Sequence, residues 1–184
     1  YLSSTRVYNG CSNGFENSDL IVNPNNHSDL YNISKLMGES ACLSMNNRNV
    51  RIVRLSNVIG NDFKSGNFIF ALIQEAVNYG KITLRQSLEF SRDYIVIKDV
   101  IELIENIALN GKERLYNISS GINISNNELL NHISAITKCD VIIEDSSQNL
   151  FFPVIDNKKI KKEFSFQVSS ILIELKRQVY GISD

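Results

Sequence analysis

The stretch Asn49-Val50-Arg51-Ile52-Val53-Arg54-Leu55-Ser56-Asn57 decides how the rest of the chain is read. Val50, Ile52 and Val53 fit a strand buried within an α/β sheet, spanning residues 49–55. The strand stops at Ser56-Asn57, and a loop begins with Val58-Ile59-Gly60-Asn61. Open α/β sheets bind ligands beyond the carboxyl ends of their strands. Ser56 and Asn57 therefore stand where a ligand contact is expected.

Upstream, Ser28 is positioned to cap a helix running to about Met45. Its apolar residues Ile33, Leu36, Met37, Ala41 and Leu43 predict an imperfect buried stripe. Tyr31 and Lys35 lie in its opening turns, and side chains at i and i+4 share one helix face. An ammonium beside a phenol favours the phenolate, which makes such a pair suited to proton transfer. A hydroxyl from the preceding Ser3-Ser4-Thr5 cluster can hold a substrate oxygen next to it. The same spacing also occurs in ordinary surface helices, so the pair gains meaning only from what surrounds it.

Residues 1–4 read as the end of a strand, and 5–30 as a long polar loop with turn signals at Asn9-Gly10, Asn13-Gly14 and Asn23-Pro24. Downstream, Phe68–Tyr79 reads as a helix closed by Gly80. Short strands are expected at 82–84, 94–97, Leu115–Ile118 and 141–143. Asp99 with Glu102, and Ser125 with Glu128, are capping signals for two further helices. A short helical turn at 156–163 and a terminal helix at 168–179 complete the pass. Helices alternating with short strands argue for α/β. The basic run Lys158, Lys159, Lys161 and Lys162 reads as a solvated helix face.

The chain has 184 residues, 43% hydrophobic and 21% charged, with a formal net charge of -1. This is enough for a sizeable core, and nothing in it suggests a nucleic-acid or membrane partner. No apolar run approaches the roughly 18 residues of a membrane span. Cys11, Cys42 and Cys139 are widely spaced and odd in number, which fits no disulfide framework and no metal site; Cys11 is read as a neutral loop or core thiol. A reducing, cytoplasmic setting is expected. The chain opens in mid-strand without an initiator Met. That opening suggests the C-terminal part of a longer protein.

Five segments, in order, then resemble one family. Tyr1-Leu2-Ser3-Ser4-Thr5-Arg6-Val7-Tyr8 looks like a strand carrying a catalytic Ser or Thr. Tyr31-Asn32-Ile33-Ser34-Lys35, with Glu39 following, fits a Tyr-x-x-x-Lys motif. Arg54-Leu55-Ser56-Asn57-Val58-Ile59-Gly60 is similar to an Arg-x-x-Asn-x-x-Gly turn. Arg92-Asp93-Tyr94-Ile95 and Tyr116-Asn117-Ile118 with Gly121 complete the set. Together they resemble the NAD-dependent epimerase/dehydratase family, the extended short-chain dehydrogenase/reductases that act on nucleotide sugars.

The resemblance implies an α/β, partial Rossmann-like extended short-chain dehydrogenase/reductase fold with a small C-terminal substrate lobe. Residues 1–60 would belong to the dinucleotide-binding domain. Residues 61–184 would form mainly the substrate lobe, with elements returning to the first domain. Ser4, Tyr31 and Lys35 would be catalytic. Tyr31, Lys35, Leu55, Ser56 and Val58 would line the nicotinamide side of an NAD or NADP site. Ser4, Thr5, Asn57 and Arg92 would hold the nucleotide sugar, Arg92 through a substrate phosphate. Asp93 and Asp99 read as structural, Asp99 as a helix cap. Sugar dehydratases of the family place an Asp-Glu pair after the catalytic hydroxyl; here Thr5 and Arg6 stand there, which argues against a 4,6-dehydratase.

The implied function is epimerisation of a nucleotide sugar through a keto intermediate. The alternatives are an NADPH-dependent keto-sugar reductase and a non-catalytic binding or regulatory protein. No glycine-rich dinucleotide loop is found, so most of the cofactor site is expected upstream of residue 1, and the chain alone is expected to be inactive. A homodimer through the Tyr31 helix, using Leu36, Met37 and Leu43, is also implied.

Overall fold

The computed structural model describes residues 1–60, 66–144 and 151–183; Asn61, the last residue of the expected loop, lies outside them. In chain order the strands are β1 (Leu2–Ser4), β2 (Ile52–Leu55), β3 (Asn57–Ile59), β4 (Lys81–Leu84), β5 (Ser91–Val96), β6 (Leu115–Ile118), β7 (Asn123–Ser125) and β8 (Asp140–Ile143). The α-helices are α1 (Leu30–Ser44), α2 (Phe68–Tyr79), α3 (Ile97–Asn110), α4 (Asn126–Thr137), α5 (Lys158–Phe164) and α6 (Ile171–Ser183). None of the described helices is long and apolar enough to cross a membrane. The chain divides into two units. The first comprises Tyr1–Val58, Arg92–Asn123 and Phe152–Ser169, and the second the remaining segments.

The first unit is built on a parallel sheet of order β1-β2-β6. Parallel neighbours need crossover connections, and here each crossover includes a helix, α1 between β1 and β2 and α3 between β2 and β6. Side chains alternate across a strand, so β2 presents different chemistry to its two faces. Val53 and Leu55 join a core with Val100, Leu103 and Ile107 of α3, Tyr116 and Ile118 of β6, and Ile160 and Phe166. Val100, Leu103 and Ile107 recur at helical spacing, which makes one stripe of α3 apolar.

Polar residues fill the alternate row. Ser3, Arg54 and Asn117 are register partners across the three strands. Glu39 of α1 accepts two hydrogen bonds from Arg54, from Nε at 2.9 Å and from Nη2 at 2.6 Å, and a third from Ser3 Oγ. Arg54 Nη1 donates to the Tyr8 hydroxyl at 2.7 Å, and that hydroxyl donates to Asn117 Oδ1 at 2.8 Å. The Arg54 guanidinium also lies 4.9 Å from the centre of the Tyr8 ring. Asn117 Nδ2 reaches Gly14 O and Asp156 O, and its backbone N–H donates to Glu16. All five residues of the row and its fillers are buried. Burial raises the Tyr8 pKa, with Arg54 opposing it, so the phenol stays a neutral donor.

This row explains where the expectations for α1 fail. Its buried residues are Asn32 and Glu39, while Met37 is 70% exposed and Leu43 also faces out. Leu36 of the expected stripe still packs against the Val7, Tyr8 and Ile155 cluster, but the fully buried positions are polar because the sheet face beneath them is polar. Ser28 does not cap α1. It sits in a 3-10 turn, His27–Asp29, whose own cap is Asn26. Asp29 precedes α1, and its carboxylate accepts from Asn23 N and Asn32 Nδ2 instead of from the helix end. Asp99 is likewise no cap. The helix begins directly after β5, at Ile97, and Asp99 accepts from Ser169 N at 2.8 Å and Ser169 Oγ at 2.6 Å. The long loop is shorter than expected, because Thr5–Tyr8 forms a 3-10 turn, and the chain after Ser56 continues as β3 rather than a loop.

In the second unit, β4 and β8 pair in parallel. Asn67 caps α2 through Phe70 N, and Gly80 ends it at φ 64°, a left-handed backbone that favours glycine. Leu129, Leu130 and Ile133 form the buried stripe of α4, whose N-terminus carries the capping box expected from sequence.

Two measurements check these packing arguments. Removing one member of a buried ion pair strands the other, so Glu39→Ala and Arg54→Ala should each lower unfolding stability by roughly 3–5 kcal/mol. The double variant should lose less than the sum. Losses under about 1 kcal/mol in chemical denaturation would remove the pair from its structural role. For α4, the backbone N–H and hydroxyl of Ser125 hold Glu128 below its ordinary pKa of 4.5. A lowered carboxylate adds stability above its unfolded pKa and loses it as pH falls through the folded one. The penalty of Glu128→Ala in thermal melts should therefore shrink from pH 7 to pH 3, and a constant penalty would contradict the cap.

Candidate active site

Three side chains, Arg6, Tyr31 and Lys35, gather beside the end of β1, where Ser4 stands. Ser4 Oγ accepts the Arg6 backbone N–H at 3.2 Å, which caps the 3-10 turn that follows β1. Tyr31 is in the first turn of α1 and is 42% exposed, open enough to meet a ligand. Lys35 lies one turn on, its Nζ 5.5 Å from the Tyr31 ring centre and donating to Leu2 O at 3.2 Å. The Tyr31–Lys35 spacing thus does place both groups on one helix face. The Arg6 guanidinium lies 5.4 Å from the same ring centre, and its Nη2 donates to Ser28 O at 3.0 Å. Sequence reasoning noted Arg6 only as a departure from a dehydratase pattern. Its place two residues after Ser4 was the available signal. Thr5 is buried in the turn and offers no open surface.

A second group forms at the carboxyl end of β2. Leu55 is the register partner of both Ser4 and Ile118, and the Ser56 N–H donates to Ile118 O at 3.0 Å. Ser56 Oγ donates to the Asp93 backbone oxygen and to its carboxylate, so its hydroxyl turns inward rather than toward a ligand. Asn57 is exposed and its Nδ2 donates to Asp93 O at 2.8 Å. Val58 is half-buried against the α3 core.

Asp93 organises this end of the sheet. Its Oδ1 accepts from Ser56 Oγ and Ser120 N, and its Oδ2 from Ser120 Oγ, Gly121 N and Ile122 N. Burial pushes its carboxyl pKa up, while the bonds from Ser56, Ser120 and Gly121 pull it down. Gly121 has φ 80°, and a Cβ there would come within 2.7 Å of Asn157 Nδ2. The turn that feeds Asp93 therefore requires glycine. Arg92, half-buried, precedes Asp93 on β5; burial raises the pKa of Tyr94, and the Arg92 guanidinium opposes that rise.

Among curated proteins none matches the sequence. The fold is similar to that of TunA, an NAD dependent NDP-hexosamine 5,6-dehydratase involved in tunicamycin biosynthesis, at 19% identity and a TM-score of 0.83, over 100% of this chain and 62% of that one. It is similar to dTDP-glucose 4,6-dehydratase (rfbB) from Bacillus anthracis str. Ames in complex with NAD, at 20% identity and 0.81, over 99% and 60%. RMD from Pseudomonas aeruginosa complexed with NADPH matches at 20% identity and 0.78, over 98% and 64%. At these identities the likeness is one of fold.

That coverage corrects two expectations. The match runs over 98–100% of this chain, which corrects the expectation of a partial fold that is inactive alone: all of this chain takes part in the matched fold. Within the first unit, β1, β2 and β6 form one parallel ladder whose crossovers carry α1 and α3. The chain spans about three fifths of the length of these structures. The sequence model of the family described as NAD dependent epimerase/dehydratase matches residues 1–119, and the chain belongs to that family.

Proposed function

We propose that the protein carries out NAD(P)-dependent epimerisation of a nucleotide sugar through a keto intermediate. The observation that carries this reading is the pairing of Lys35 with an open Tyr31 on one helix face beside β1, the strand that ends at Ser4. Tyr31 takes the proton from a sugar hydroxyl and later returns it. Ser4 holds the same oxygen. Lys35, fixed on Leu2 O beside the Tyr31 ring, faces the nicotinamide ribose. The nicotinamide supplies, when bound, the hydride acceptor and donor that interconvert a carbinol and a ketone.

The residues at the strand ends fit that group. Leu55 and Val58 offer apolar surface, and Ser56 offers backbone, since its hydroxyl is held by Asp93. Asn57 and Arg92 are proposed to hold the nucleotide sugar, Arg92 by its phosphate. Residues 1–60 are proposed as part of the dinucleotide domain, and residues 61–184 mainly as the substrate lobe, with interspersed elements returning to the dinucleotide domain. A cytoplasmic setting is proposed on the three free thiols.

Dehydration is not proposed, although two of the similar structures are dehydratases. Thr5 is buried and Arg6 is cationic, so neither provides the carboxylate that water loss requires. The same feature leaves a keto-sugar reductase as the second reading. Product analysis with nucleotide sugars separates the two: isomerisation without net NAD(P)H consumption supports the epimerase, and stoichiometric consumption supports the reductase. Tyr31→Phe should lower kcat by at least about 100-fold and leave nucleotide-sugar affinity within roughly threefold. Unchanged turnover would refute the role of Tyr31 and favour a binding protein.

A homodimer through α1 is also proposed, because Met37 and Leu43 are exposed apolar residues on that helix, while Leu36 packs inward against the Val7 and Tyr8 cluster. Sedimentation should show a dimer that Met37→Glu converts to monomer. A wild-type monomer would exclude it.

A further inference from the structure

We propose that Arg6 is a substrate-recognition residue that pairs with a carboxylate on the sugar, so that the preferred substrate is an acidic nucleotide sugar. The inference rests on the reading that Tyr31 faces the sugar. Arg6 is joined to both proposed reacting groups: its backbone N–H donates to Ser4 Oγ, and its guanidinium lies 5.4 Å from the centre of the Tyr31 ring. Lys35 Nζ stands 5.5 Å from that ring centre. Two cations thus flank one exposed phenol.

Their charge is not neutralised locally. Among the described residues neither Arg6 nor Lys35 takes part in an ion pair. Of the acids on α1 and the turn before it, Glu39 is paired with Arg54, and Asp29 accepts from Asn23 and Asn32 rather than from either cation. The positive field at the ring is therefore available to a ligand.

The shape of the group narrows the ligand. The contact of Nη2 with Ser28 O steadies the guanidinium but leaves its other N–H groups without a partner among the described residues. A planar fork of N–H donors matches a carboxylate through two parallel hydrogen bonds. A neutral hydroxymethyl group cannot make that pair. The nucleotide diphosphate is the other anion available to such a fork, and a comparison of two sugars on the same nucleotide separates it from the sugar carboxylate.

UDP-glucuronic acid and UDP-glucose serve as probes, since they share the nucleotide and diphosphate and differ at the carboxylate. Binding by calorimetry and turnover by NMR are measured for wild type, Arg6→Gln and Arg6→Lys. Arg6→Gln should weaken UDP-glucuronic acid binding by roughly 10- to 100-fold and change UDP-glucose binding less than about threefold. Arg6→Lys should recover part of the loss. Equal losses on both nucleotides would overturn the inference in favour of diphosphate contact. No loss on either, or a wild-type preference for UDP-glucose, would overturn it outright. Selective binding without turnover of either sugar would instead count against the catalytic reading of the site and leave the Arg6 inference standing.

Discussion

The ion pair between Arg54 and Glu39 is the constraint on which the first unit depends. It is buried, bidentate and placed between the central strand and the helix that carries Tyr31 and Lys35. A pair of this kind is costly to desolvate and holds only when its remaining hydrogen-bonding groups are met. Here they are met by Ser3 on one side and Tyr8 on the other, with Asn117 closing the row. A row of directional bonds across three strands specifies one register, because a slip by one residue would set polar side chains against the α3 core and leave the pair unmatched.

This arrangement separates two tasks that helix α1 must perform. Its inner face is held by Glu39 and Asn32, so the helix need not spend apolar residues on the sheet. Tyr31, in its first turn, is left exposed, and Tyr31 and Lys35 lie on a rigid element rather than on a loop. Asp93 does for the strand ends what Glu39 does for the helix. It gathers donors from the segments after β2 and β6 onto one carboxylate, and fixes Ser56, Asn57 and the Gly121 turn together. In both places a buried acid arranges the neighbours of the proposed site without being exposed to a ligand itself.

How much of this was legible in the sequence depended on whether the signal was local. Phe68–Tyr79, Leu115–Ile118 and the Ser125–Glu128 box were read correctly because their caps and periodicity lie within a few residues. The i, i+4 relation of Tyr31 and Lys35 was legible for the same reason. Ser28 and Asp99 were misread as caps because their rivals were distant or subtle: Asn26 takes the preceding turn, and Ser169 claims Asp99 from seventy residues away. The polar row was not legible at all. Arg54 looks like an interruption of an apolar strand until β1 and β6 bring Ser3 and Asn117 beside it. The apolar stripe expected on α1 held at Leu36 and gave way to Asn32 and Glu39 at the fully buried positions, since a helix takes its inner face from the surface it covers.

The chemistry of the proposed site follows from its composition of donors. Ser4, Arg6, Tyr31 and Lys35 supply hydroxyls and cations, while the nearby carboxylates of Asp29 and Glu39 are bound within the framework. Such a set can stabilise an oxygen that gains negative charge as a carbinol loses its proton. It lacks the base that would be needed to remove a proton from carbon during loss of water. The same substitution that withdraws the carboxylate puts a guanidinium at the face of Tyr31. Selection against dehydration and preference for an anionic sugar would then be two consequences of one side chain, Arg6, held by Ser28 O at the end of β1.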